Sequence, residues 1–272
     1  DLLEQMIGRL TSEPFLAIVG SSGAGKTSLL NAALVPALRD RPIVSSCKPE
    51  IVRLTPGPRP IQRLAALVAP GAERADRPHQ LAAIDGHFGS SVSQRRAEPT
   101  VFVVDQGEEL FTLGADEMEQ ADFLDVVVRV TGFLNASGRV LLAFRSDYYQ
   151  RFLAHPGIAA LLTRSQIAVT DLTEHELRRA VQLPLHACNL AIENQLVDRL
   201  VADTRRRSGI LPQLSQALVE TWALRRGDTL TLDGYLAAGG IEGALAKRAD
   251  AVFSALVDDL ASAAREERSL PL

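Results

Sequence analysis

The feature that most constrains this chain is Gly20–Thr27, which reads GSSGAGKT. It satisfies G-x-x-x-x-G-K-[ST] and stands between the apolar run Phe15–Val19 and a helical pattern opening at Ser28-Leu29-Leu30. Strand, glycine loop and helix in that order curl the backbone so that its N–H groups face a phosphate. The candidate nucleotide-binding residues are therefore Gly20, Ser21, Ser22, Gly23, Ala24, Gly25, Lys26, Thr27 and Ser28. Lys26 brings a positive charge to the β and γ phosphates, and the Thr27 hydroxyl is a ligand for Mg2+. With glycine at about 7% of residues, a chance match in a chain of this length has odds of about one in a hundred.

Apolar runs at Phe15–Val19, Ile51–Leu54, Val101–Val104, Val140–Phe144 and Gln166–Val169 read as buried parallel strands. Helical patterns separate them at 26–38, 60–68, 79–95 (weakly) and 117–134, with a short one near 148–154; Thr55-Pro56-Gly57-Pro58 marks a turn. The alternation predicts an α/β fold, a five-stranded parallel sheet of the P-loop NTPase type with right-handed crossovers. Past about residue 170 the strand signal stops. Thr173–Glu176 is a capping box that opens a helix to about Ala187. Further helices follow at 194–206, 212–225 and 233–260, the last broken at Gly239-Gly240. The predicted organisation is a core over 1–170, a helical lid domain over 171–235, and the start of a winged-helix or linker helix over 236–272.

A net charge of −4 gives no general attraction to nucleic acid or membrane. No apolar run approaches the ~18 residues of a membrane span. Cys47 and Cys188 lack metal-ligand spacing and read as buried thiols of a reducing, cytoplasmic protein. The five histidines show no metal-ligand spacing, and His186 with Cys188 reads as a packed pair. Arg205-Arg206-Arg207 reads as a solvated helix end, Arg95-Arg96 as loop surface, and Trp222 as core or interface. The chain opens inside a helical pattern and stops abruptly, so it reads as part of something longer.

Asp105 ends the third strand, and an acidic group there is the Walker B arrangement, a second ligand for Mg2+. Hydrolysis needs a carboxylate to orient or deprotonate water. Gln106 follows Asp105 where many hydrolysing proteins carry Glu, so the catalytic candidates are Glu108, slightly preferred, and Glu109. The competing reading makes both the acidic first turn of a helix over 110–113. Arg145 ends the fourth strand, where strand ends face the ligand crevice. It is either a γ-phosphate contact or a surface arginine paired with Asp147.

The strings GSSGAGKTSLL, VRLTPGPRP, VVDQGEELFT, LLAFRSDYYQRF, ILPQLSQAL and GGIEGALAKRAD, in that order, resemble the bacterial STAND NTPases, the novel STAND group often joined to WD repeats, with NACHT and NB-ARC proteins as more distant cousins. The resemblance runs from about residue 12 to 255. It implies an AAA+/STAND-like fold and ATP/ADP as ligand, with Asp105, Glu108 and Glu109 as an extended Walker B and Arg145 as sensor. It implies that Leu211-Pro212 packs on adenine, making Pro212 a binding residue, and that a winged helix begins near Gly239–Leu245. Gly107 departs from the family, which usually has an aromatic or aliphatic residue there, and the family's Gly-Arg pair is absent ahead of Asp1. The expected role is a signalling switch with slow hydrolysis, nucleotide-dependent homo-oligomerisation, and effector and sensor domains outside this chain, in bacterial defence or programmed cell death. The alternative is a scaffold that holds nucleotide with little turnover. No N-K-x-D for guanine and no LSGGQ-like signature is present.

Overall fold

The computed structural model describes residues 2–41, 48–93, 99–134, 138–205, 207, 209–243, 246, 250, 253, 254 and 257. Its contacts divide the chain into two compact units, Asp1–Thr170 and Asp171–Leu272.

The first unit runs α1 (Leu2–Ser12), β1 (Phe15–Gly20), α2 (Lys26–Leu29), a π turn (Leu30–Leu34), α3 (Val35–Asp40) and β2 (Glu50–Leu54). It continues with α4 (Pro60–Val68), α5 (Arg77–Ser93), β3 (Thr100–Val104), α6 (Glu109–Thr112), α7 (Glu117–Leu134), β4 (Gly138–Arg145), α8 (Tyr149–Leu153), α9 (Pro156–Arg164) and β5 (Gln166–Val169). The five strands form one sheet in the order β2-β3-β4-β1-β5, every pairing parallel. This is the α/β P-loop sheet that the apolar runs predict.

Alternation along the strands splits the core in two. Phe15, Ala17, Val19, Phe102, Val104, Val140, Leu142 and Phe144 pack with α4, α5, α7, α8 and α9 on one face. Leu16, Ile18, Val101, Val103, Leu141 and Ala143 pack with α1, the π turn and α3 on the other. The inner strands β1, β3 and β4 are buried on both faces, which is why their runs are continuously apolar. Strands β2 and β5, also read as buried, are partly exposed because each is an edge strand paired on one side only. Arg139 is a buried exception: its guanidinium donates to the carbonyls of Leu10 and Thr11, satisfying the open C-terminal end of α1.

Two elements depart from the sequence reading. The helix after the glycine loop is interrupted by the π turn, and Pro36 follows one residue into α3. Proline has no N–H to donate and its ring crowds the carbonyl four residues back, so a regular α turn is disfavoured there. Helix α9 is an addition: Pro156 occupies its first turn and the His155 ring accepts the Ile158 N–H at 3.3 Å.

The second unit is mainly helical: α10 (Glu174–Ala187), α11 (Asn194–Thr204), α12 (Leu211–Ala223) and α13 (Leu232–Ala238). The capping box is present, with Thr173 Oγ1 accepting the Glu176 N–H and Glu176 Oε2 accepting the Thr173 N–H. Contrary to the expectation that strands end near 170, β6 (Ala191–Ile192) pairs parallel with β7 (Thr229–Leu230). Two residues are too few to show a period. Gly239 ends α13 in the left-handed region, φ 91°. A Cβ there would lie 2.9 Å from Gly243 Cα, so glycine is required twice over.

Cys188 is exposed at the end of α10, not a buried thiol, because it lies past the apolar stripe of that helix; Cys47 lies outside the described residues. Arg205 and Arg207 are exposed, as read, and each also pairs with a carboxylate, Glu174 at 2.7 Å and Glu242 at 2.9 Å. Arg206, Arg95, Arg96 and Leu245 lie outside the described residues.

Candidate functional site

The parallel register brings the ends of three strands level. Gly20 on β1 pairs with Arg145 on β4 and with Val169 on β5. A Cβ on Gly20 would approach the Val169 carbonyl oxygen to 2.5 Å, so the strand can enter the loop only as glycine. Gly23 and Gly25 hold φ of 73° and 91°, the left-handed region. Gly25 then caps α2.

Lys26 is buried, with Nζ donating to the carbonyls of Gly20 at 2.9 Å and Ser21 at 2.8 Å. Burial lowers its pKa; the Glu108 carboxylate opposes that shift, Arg145 adds to it, and Asp105 and Asp147 oppose it. Those four charges therefore stand within electrostatic reach of the lysine.

Asp105, only 8% exposed, continues β3 by donating its N–H to the Leu54 carbonyl at 2.9 Å. Its Oδ1 accepts the Thr27 hydroxyl at 3.2 Å and the Gln106 N–H at 2.9 Å. Thr27 follows β1 and Asp105 follows β3, while β4 lies between those strands. A hydroxyl and a carboxylate this close form a hard oxygen pair. That suits Mg2+, which takes few protein ligands and completes its shell with phosphate and water.

Gln106 adopts φ 52°, a left-handed turn for a residue with a Cβ. The turn carries the chain from β3 toward β4, where the Gly107 N–H donates to the Ala143 carbonyl at 2.8 Å. A Cβ on Gly107 would meet Ala143 O, Leu142 Cδ1 and Phe152 Cζ, each at 3.2 Å. Neighbouring side chains fill the space that an aromatic residue at 107 would take. Glu108, half-buried, follows with Oε2 accepting the Arg145 N–H at 3.2 Å. Glu109 opens α6, and its carboxylate has no hydrogen bond or ion pair among the described residues. The structure thus ties Glu108, and not Glu109, to the end of β4.

The Arg145 guanidinium donates through Nε and Nη2 to the two oxygens of Asp147, at 3.0 and 2.6 Å, and lies 5.7 Å from the Tyr148 ring centroid. Hydrogen bonding with Asp147 raises its pKa, and the same bond lowers that of Asp147. Arg145 therefore forms the Asp147 pair that one of its two sequence readings named, and does so at the end of β4, level with Gly20. Ser21, Ser22, Ala24 and Ser28 complete the loop and the first turn of α2, Ala24 buried and Ser22 and Ser28 exposed.

Pro212 belongs to the second unit, exposed at the second residue of α12. Beside it, Leu172, Leu177, Ile210 and Leu211 line a pocket of about 390 Å³ within that unit. Sequence reasoning overlooked Arg53 and Arg63, which line a cleft of about 430 Å³ adjoining Asp105. Arg53 falls in the string VRLTPGPRP, which was its available signal, and Arg63 lies three residues past it.

No curated protein matches the sequence. Among solved structures, the chain is similar to the ORC2 protein of Aeropyrum pernix in its ADPNP–ADP complexes, with TM-score 0.63 and 14% identity over 90% of this chain and 66% of that one. It is similar to the ORC1 protein of Aeropyrum pernix in complex with DNA, with TM-score 0.60 and 15% identity over 87% and 62%. For Cdc6p of Pyrobaculum aerophilum the values are 0.57 and 15% over 81% and 61%. The chain spans about three fifths to two thirds of these proteins' length, and at such identities the likeness is one of fold. The family model described as novel STAND NTPase 1 matches residues 1–267, and the chain belongs to that family.

Proposed function

We propose that this chain is an ATP-dependent switch that binds ATP with Mg2+, hydrolyses it slowly, and passes its nucleotide state to assembly and to effector domains elsewhere in the protein. The observation that carries this reading is the convergence of Lys26, Thr27, Asp105, Glu108 and Arg145 at the ends of β1, β3 and β4.

The N–H groups of Gly23–Thr27 bind the phosphates, and Lys26 exchanges its own loop carbonyls for phosphate oxygens. Thr27 and Asp105 would hold Mg2+, which neutralises charge on the phosphates when bound. Glu108, steered by the Arg145 N–H, takes the proton of the attacking water. Arg145 contacts the γ-phosphate, and Pro212 packs on adenine as the family resemblance implies. A role in bacterial defence or cell death follows from that resemblance alone.

Loss of ATP binding in Lys26→Ala is the expected result, measured by calorimetry; unchanged affinity would remove the triphosphate reading. Glu108→Gln is expected to keep ATP binding and lower Mg-dependent turnover by about 10²–10⁴-fold. The second reading, a nucleotide-holding scaffold, is favoured by Gln106, an amide where a carboxylate would activate water. Tight ATP binding with no turnover in the unmodified chain would select it.

A further inference from the structure

We propose that Asp147 is a positioning residue that holds the Arg145 guanidinium for the γ-phosphate; this rests on the reading of Arg145 as the phosphate contact. An arginine has more rotamer freedom than almost any side chain, and an exposed one ordinarily samples many orientations. Arg145 is held from three directions. Its N–H is fixed to Glu108 Oε2 at 3.2 Å. Its Nε–Nη2 edge is bound by both oxygens of Asp147, at 3.0 and 2.6 Å. Its Cζ lies over the Tyr148 ring, and Tyr148 stacks on Phe111 at 6.2 Å and 5°, while Phe111 meets Phe152 edge-on at 5.0 Å. The platform beneath the guanidinium is therefore built from α6, the turn after β4, and α8.

The geometry also decides what is left over. A guanidinium can bind one anion along its Nε edge and another across its two terminal nitrogens. Asp147 takes the first edge. Nη1 has no hydrogen-bond partner among the described residues and stays available to a phosphate oxygen. The pair flanks the phosphate loop, since Lys26 feels the charges of both Arg145 and Asp147. A bare carboxylate beside a triphosphate would repel it; one already neutralised by Arg145 orients without that cost.

The test uses the full chain with Mg2+, titrated with ADP and with a non-hydrolysable ATP analogue, and reads the ratio of the two affinities. A general structural defect would weaken both ligands; loss of positioning changes the ratio. Asp147→Asn and Asp147→Ser are expected to lower the preference for the analogue about fivefold, in keeping with an exposed ion pair, while ADP affinity holds. Arg145→Ala is expected to erase the preference, and adding Asp147→Asn to it should cause no further loss. A preference unchanged or raised in the Asp147 variants overturns the proposal, the second result meaning that Asp147 competes with phosphate for the guanidinium. If Arg145→Ala itself leaves the preference intact, the γ-phosphate reading fails and this proposal fails with it.

Discussion

Gln106 holds a backbone conformation that side chains with a Cβ rarely adopt, and its side chain is exposed with no hydrogen bond among the described residues. Such a residue costs about 1 kcal/mol and persists only where its surroundings impose it. Here the Asp105 carboxylate holds the Gln106 N–H, and the Gly107 N–H is tied to Ala143. Together they bring Glu108 under the Arg145 N–H. Gln106→Gly relieves the conformation and loses no contact, so it is expected to stabilise the first unit by about 0.5 kcal/mol after the glycine's larger unfolded-state entropy is counted. A denaturant midpoint that falls would refute that account. At this scale the sequence displayed the chemistry well: a glycine loop, Asp105 and Arg145 are each visible as a residue type at the end of an apolar run. It preferred Glu108 to Glu109 only slightly, because which of them meets the Arg145 N–H depends on which way a left-handed turn sends two adjacent carboxylates. Asp147 is a similar case, a pairing that the sequence allowed beside another reading.

Among the elements, those with strong periodic or capping signals match their predicted bounds. Pro60–Val68, Glu117–Leu134 and Glu174–Ala187 are as read, the last with its start marked by the capping box. The π turn and the β6–β7 pair were not legible, since each is made by contacts or steric relief that span too few residues for a period. One phenol ties α13 to α11 by a hydrogen bond. Tyr235 is fully buried, its hydroxyl donating to Asp203 Oδ2 at 2.7 Å, and Asp203 also accepts from Arg199 at 2.9 Å. Burial raises the Tyr235 pKa, with the Asp203 bond adding to it. The folded second unit therefore binds that proton more tightly than the unfolded chain. Its contribution is complete below the ordinary tyrosine value of about 10, and declines as pH rises through that value toward the folded one. Tyr235→Phe is expected to cost about 1 kcal/mol at pH 8. The gap from the parent should close between about pH 10 and 11, read from denaturant midpoints across that range. A gap constant with pH would show that the phenol does not titrate differently in the folded unit.

At the scale of the whole molecule, the strand order sets the site. Placing β4 between β1 and β3 puts Arg145 between the glycine loop and Asp105, although it lies far along the chain from Lys26. A switch of the proposed kind should change its assembly with nucleotide. Light scattering is expected to give a larger mass with Mg2+ and a non-hydrolysable ATP analogue than with ADP, and equal masses would separate nucleotide binding from assembly. The sequence by itself determined the α/β class, the five strands and the phosphate loop, because periodicity, turn chemistry and glycine spacing are local and act within a few residues. Only the tertiary structure decided the order of the strands, the register that levels Gly20 with Arg145, and the bond between Glu108 and the Arg145 N–H. Those depend on which distant surfaces pack together, and no single segment carries that information.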